Sequence, residues 1–255
     1  MYLSPRHEKI LEVAKIEDRV LVDDLAVRFE VTPQTIRKDL NDLCDQRLLT
    51  RIHGGAELPS GVANVEYEDR RQIAALEKTA IGKAAAALIP NESSLFINIG
   101  TTTEAVSEAL LDHSGLMAIT NNINVANRMR VYPKFEVVMA GGVVRSTDGG
   151  IVGETAVDFI RQFKVDNAVI GASAIDNDGA LLDFDIREVK VAQAIIENAR
   201  NVILVADSTK FERSAPVRIA HLSQVNTFVT DVCISASIRK VCEENEVQLI
   251  EVGSN

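Results

Sequence analysis

A chain of 255 residues with 46% hydrophobic content has material for one large core or two modest ones, and with no Trp and 4% aromatics those cores are aliphatic. The net charge of −10 excludes a generally basic nucleic-acid binder, so any DNA affinity must come from local placement of cations. Three cysteines without C-x-x-C spacing suggest neither a disulfide framework nor a zinc site, and no apolar run resembles a signal peptide or membrane span; the expectation is a cytoplasmic protein without metal, cofactor or membrane partner.

In chain order, Ser4 and Pro5 open a first helix on which Ile10, Leu11 and Ala14, with His7 beside them, follow helical spacing. Val20 and Leu21 are a candidate short strand. Asp23 and Asp24 lie in the first turn of a second helix reaching Phe29, where carboxylates suit the helix dipole. Residues 30–32 form a tight turn, and Thr32 then offers an N-cap oxygen to a third helix over 33–45 that begins on Pro33.

On that third helix Ile36, Leu40 and Leu43 share one face, Gln34, Lys38 and Asn41 the opposite one, and Arg37 the edge between them. A basic hairpin over 48–53 carries Arg51 and His53, and Gly54 and Gly55 release the chain from it. A charged helix face is ordinarily just solvated. The joint occurrence of turn, cap, polar face and basic hairpin predicts more: an N-terminal winged helix-turn-helix, mainly α, over residues 1–57. Its contacts with operator double-stranded DNA would be Thr32, Gln34, Thr35, Arg37, Lys38, Asn41, Arg51 and His53. The same 57 residues hold nine Lys and Arg against eleven Asp and Glu, so placement of charge has to do the work.

Residues 58–72 shift to Pro, Ser and Gly and then to a charged run, and read as a linker. From 73 to 255 the pattern is α/β: a helix over 73–89, then strands over 95–99, 117–120, 136–140, 168–171, 202–206 and 227–229. Helices over 103–111, 123–131, 154–163, 187–199 and 235–243 separate them. Continuous apolar strands between helices predict a buried, mostly parallel sheet.

Ligands of such sheets bind beyond the carboxyl ends of the strands. The first strand there runs into Gly100, Thr101, Thr102 and Thr103 and a helix start, where backbone N–H groups and hydroxyls make an anion site. Thr120 and Asn121, Gly141 and Gly142, and Lys210 follow later strands, and Asp183, Asp185 and Glu188 can bond hydroxyls. Plainer roles exist for some of these: Asp185 as a helix cap, Lys210 as an exposed loop lysine. Glu104, one residue into its helix, is expected to point away from any phosphate.

The words PQTIRKDL and RIHGGA closely resemble the N-terminal signature of the DeoR family of bacterial transcriptional repressors. Two positions depart from it: Leu21 where relatives carry a small polar cap, and Arg47 where Gly is common at the end of the third helix. The later segments resemble the same family's effector domain, so the similarity covers nearly the whole chain. It implies a fold similar to ribose-5-phosphate isomerase and a phosphate loop, usually Asp-x-Gly-Thr-Thr, whose first position here is the neutral Asn98. TNNINVAN, LLDFD and AIIENARNVILVADSTKF are similar to a branch of the family concerned with glycerol metabolism. That implies glycerol 3-phosphate as the small phosphorylated effector, and the family implies a homo-oligomer, dimer or tetramer. Two alternatives stand beside this reading. One is a regulator answering to a different sugar phosphate. The other is an isomerase or lactonase using Asp183, Asp185 and Glu188 as general acid and base, for which the first 57 residues would have no use.

Overall fold

The computed structural model describes residues 4–17, 19–45, 48–52, 54–57 and 67–253. They fall into two compact units, Met1–Ala63 and Asn64–Asn255.

The first unit is α1 (Pro5–Glu17), β1 (Arg19–Leu21), α2 (Val22–Arg28), α3 (Pro33–Asp45), β2 (Thr50–Ile52) and β3 (Gly55–Glu57). Ile10, Ala14, Leu25, Ile36, Leu40, Leu43 and Ala56 form its core, which is why the apolar spacing of the three helices was readable. The wing differs from expectation. It spans 50–57 rather than 48–53, and β1 adds to it in the order β1-β3-β2. Gly54 (φ 79) makes its turn and Gly55 begins β3, so neither glycine releases the chain. A Cβ on Gly55 would lie 2.0 Å from the carbonyl oxygen of Val20, so pairing of β1 with β3 requires glycine there. Leu21 caps α2 without a side-chain bond; the amide of Val22 instead donates to the carbonyl of Gly54 at 2.9 Å. Arg47 lies outside the described residues.

The second unit opens with α4 (Tyr67–Gln72) and α5 (Ala75–Ala86). The expected linker therefore holds a helix. The expected helix over 73–89 starts at α5 because Ala74 is left-handed, with φ 51. There follow β4 (Ser94–Ile97), α6 (Thr101–Ala109), β5 (Leu116–Thr120), α7 (Ile123–Met129), β6 (Phe135–Met139), the hairpin β7 (Val143–Val144) and β8 (Ile151–Val152), α8 (Glu154–Ile160) and β9 (Val165–Ile170). The chain ends with β10 (Ala174–Ile175), β11 (Ala180–Asp183), α9 (Ile186–Glu197), β12 (Ala199–Val205), β13 (Val217–His221), β14 (Thr227–Thr230), α10 (Ala236–Glu244) and β15 (Gln248–Glu251).

Seven strands form one parallel sheet in the order β15-β14-β12-β9-β4-β5-β6, and β10-β11-β13 make a small antiparallel sheet. Alternate residues of a strand serve opposite faces: Leu95 and Ile97 join the core with α5, α6 and α7, whereas Phe96 joins the core with α8 and α9. Both faces being covered explains the unbroken apolar runs. Strand order reverses between β4, which leads to β5 and β6, and β9, which leads to β12, β14 and β15. The loops after β4 and β9 therefore part at that point and leave a crevice. Among the described residues no helix is long and apolar enough to cross a membrane.

Candidate functional site

In the first unit α3 presents the expected two faces. Ile36, Leu40 and Leu43 are fully buried, and Thr32, Gln34, Arg37, Lys38 and Asn41 are exposed. The amide of Thr35 donates to Thr32 Oγ1 at 3.2 Å and the two hydroxyls lie 2.9 Å apart, so the cap engages both threonines. Arg51 stands exposed on β2, and His53 lies outside the described residues. Amide and guanidinium donors on one helix face, with Lys38 beside them, can meet base edges and phosphates of duplex DNA.

In the second unit the crevice between β4 and β9 holds a small cavity. Gly100, Thr101, Thr102 and Thr103 line one side, Gly171 and Ser173 another, and Arg70, Asp183, Glu188 and Lys210 complete it. The backbone N–H of Asn98 donates to the Val169 carbonyl at 3.0 Å, tying the two strands at the point where they diverge. Gly100 has φ 149, which L side chains rarely adopt, and its carbonyl accepts the amide of Glu104 at 3.0 Å, so the chain turns directly into α6. Amides at the start of α6 are left for an anion.

Lys210 is buried, not an exposed loop lysine. Burial pulls its ammonium down to about 7, against the opposing pull of Asp207. Lys78 is buried as well, donates to the carbonyls of Arg70 and Ile73 and lies 3.8 Å from Asp207. Burial likewise lowers the Lys78 ammonium and the Arg213 guanidinium. Arg70, Lys78, Lys210 and Arg213 are all near enough to act on one another electrostatically, with Asp207 the main opposing charge for Lys78, Lys210 and Arg213. Such a cluster gains most from an added anion.

Acids gather on the other side. Arg145 reaches Asp148 at 2.6 Å, Asp185 at 3.2 Å and Glu188 at 2.5 Å, and Arg70 reaches Asp148 at 3.2 Å. Ser173 donates to Asp183 at 2.8 Å. Arg70 and Arg187 share Asp148 and Asp185 with Arg145, but burial and the nearby Asp183 push Glu188 up to about 8 despite Arg145. An adjoining cleft of about 570 Å³ is lined by Tyr67, Arg70, Arg145, Asp148, Asp183 and Asp185. A cationic end with free helix amides and an acidic end rich in acceptors suit a ligand that is phosphate at one end and hydroxyls at the other.

Several of the expected residues have partners within the fold. The Thr103 hydroxyl donates to the carbonyls of Asn98 and Gly100, and that of Thr120 to the carbonyl of Ile97. The Asn121 amide donates to the carbonyl of Ile151, and Asp185 caps α9 through the amide of Arg187. Gly141 and Gly142 are exposed beside β7 and are not among the residues lining the cavity. Glu104 is buried and accepts bonds from Tyr67 at 2.8 Å, Asn122 at 3.1 Å and Asn124 at 3.0 Å. Tyr67, Arg70, Lys78, Arg145, Asp148 and Arg213 were not anticipated. Lys78 alone left a signal, since it shares a helical stripe with the buried Ile81 and Ala85.

Comparison with known proteins agrees with this division. The model of the DeoR-like helix-turn-helix domain matches residues 6–62 and that of the DeoR C terminal sensor domain residues 73–232. The glycerol-3-phosphate regulon repressor of Escherichia coli (strain K12) is 47% identical over 98% of this chain and 99% of its own. The protein of that name from Haemophilus influenzae is 49% identical over 90% of each chain. Among solved structures, ribose 5 phosphate isomerase A from Neisseria gonorrhoeae covers 52% of both chains at 16% identity and a TM-score of 0.37, a likeness too loose to speak to function. Two domain models matched in order, and identity near one half over almost the full length, leave one assignment: the chain belongs to the DeoR family.

Proposed function

We propose that this chain is a cytoplasmic transcriptional repressor that reads operator DNA through α3 and its wing, and that glycerol 3-phosphate held at the strand-order reversal lowers its operator affinity. The observation that carries the effector half is Lys210: a lysine buried at the carboxyl end of the sheet, beside free amides of α6 and in an excess of cations, is stabilised by a phosphate. The acids around Arg145 supply acceptors for glycerol hydroxyls. Because effector and operator affinities are linked, operator DNA weakens effector binding by the same factor. Two reading heads on paired half-sites call for a homo-oligomer, dimer or tetramer. The isomerase or lactonase alternative gives way, since a helix-turn-helix precedes the sensor domain and the matched relatives are repressors.

The test uses an operator duplex recovered by selection from random DNA, titrated with and without glycerol 3-phosphate. Wild type should lose operator affinity as effector is added. Lys210→Ala should keep its effector-free affinity and need about tenfold more effector or beyond, the loss expected for one charge-assisted hydrogen bond. Equal responses would remove Lys210 from the site. A response confined to another phosphorylated sugar would keep the repressor and replace its effector.

A further inference from the structure

We infer that Asp39, an acid in the middle of the reading helix, sets the rotational pose of that helix on DNA through its grip on Arg6. Asp39 lies between the exposed Lys38 and the fully buried Leu40, and is itself only 5% exposed. Its carboxylate accepts two bonds from one guanidinium, Arg6 Nε at 2.5 Å and Nη2 at 3.0 Å, and lies 3.3 Å from His7 Nε2. Both partners stand in the first turn of α1, which Ser4 fixes by accepting the amide of His7 at 3.1 Å. Burial alone would raise the Asp39 carboxyl, but Arg6 and then His7 outweigh it and hold the group ionised.

The buried stripe of Ile36, Leu40 and Leu43 decides which face of α3 turns inward, but apolar contacts, having no direction, do not by themselves fix the angle about the helix axis finely. A two-point guanidinium–carboxylate fork does. A turn of α3 by about 20° would carry side-chain tips at about 5 Å from its axis through about 2 Å, enough to break hydrogen bonds to base edges. Ion pairs that are partly buried add little net stability, and fixing register is the use best attested for them.

This inference rests on α3 being the DNA-contacting helix, which is tested separately by weakening of operator binding by about a hundredfold or more in an Arg37→Ala, Lys38→Ala double variant. The experiment compares wild type, Asp39→Asn and Arg6→Lys in the full chain, measuring affinity for the selected operator and for an unrelated duplex, with a thermal melt of each protein. Asp39→Asn should lose about tenfold or more on the operator while holding or gaining on unrelated DNA, so that the specificity ratio collapses. Arg6→Lys keeps the charge but not the fork, and should fall between the two. Equal losses on both duplexes in step with a lower melting temperature would make the pair merely structural. An unchanged ratio with a gain on both would make Asp39 only a repelling charge. Either result overturns the inference.

Discussion

The two units place their polar groups in opposite ways. On α3 the side chains that face outward stand in water, and the buried stripe behind them folds the helix whether or not they are present. In the sensor unit Thr102, Asp183, Glu188 and Lys210 are all buried, so the three ionisable ones are part of the fold's own charge balance before any ligand arrives. A surface of the first kind can lose function without losing stability. A pocket of the second kind changes both together.

The largest expected effect tests the first half of that contrast. Arg37→Ala with Lys38→Ala should weaken operator binding about a hundredfold or more, from lost phosphate and base contacts. The melting temperature should barely move, as for other exposed substitutions. Wild-type binding should also fall steeply with added salt. Preserved operator affinity, or a large drop in melting temperature, would break the contrast at its simpler end.

A medium effect is expected from pH. The folded Lys210 value of about 7 lies below the 10.5 of an ordinary lysine, so across that window the unfolded chain holds the proton and the folded one does not. Stability from this group therefore rises with pH from about 7 toward 10.5, and its penalty is full below 7. Glu188 runs the other way: its folded value of about 8 exceeds 4.5, so its contribution falls as pH rises from 4.5 to 8. Lys210→Met should flatten the alkaline rise in the unfolding midpoint, and the Arg37, Lys38 double variant should leave it as in wild type. Matching pH profiles for Lys210→Met and wild type would show that the lysine is not desolvated in solution.

The smallest effect sharpens the pocket. Thr102→Ala should weaken glycerol 3-phosphate by about threefold to fivefold, since one neutral hydrogen bond is lost and the amides of α6 stay. A loss equal to that of Lys210→Ala would shift the weight of phosphate binding from the cation to the hydroxyl.

Legibility followed burial. The six anticipated strands were found because helices on both faces leave a continuous apolar word, and α3 because cap and stripe agree. Other features failed for definite reasons. The wing moved because its third strand, β1, lies far upstream, and nothing local to Gly54 and Gly55 shows that they face Val20. Helix α4 was hidden because none of its residues is buried; Tyr67 and Arg70 hold it to the unit through Glu104 and Asp148, partners distant in sequence. Arg145 sits between glycine pairs in a stretch without periodicity, so its meeting with Asp185 and Glu188 exists only once the sheet has formed. The threonines and asparagines do stand at strand ends and helix starts, but several hydroxyls and amides turn inward to close their own turns.

The reversal of strand order between β4 and β9 has a consequence for how such a sensor can diversify. The groups around the crevice come largely from turns and helix starts, which are outside the ladder that holds the seven strands in register. A lineage can exchange those turns one at a time, each change altering what is recognised while the aliphatic scaffold below is inherited intact. Sensitivity to a new metabolite is then a matter of a few loop substitutions, and the DNA address, written on another unit, can drift independently of it.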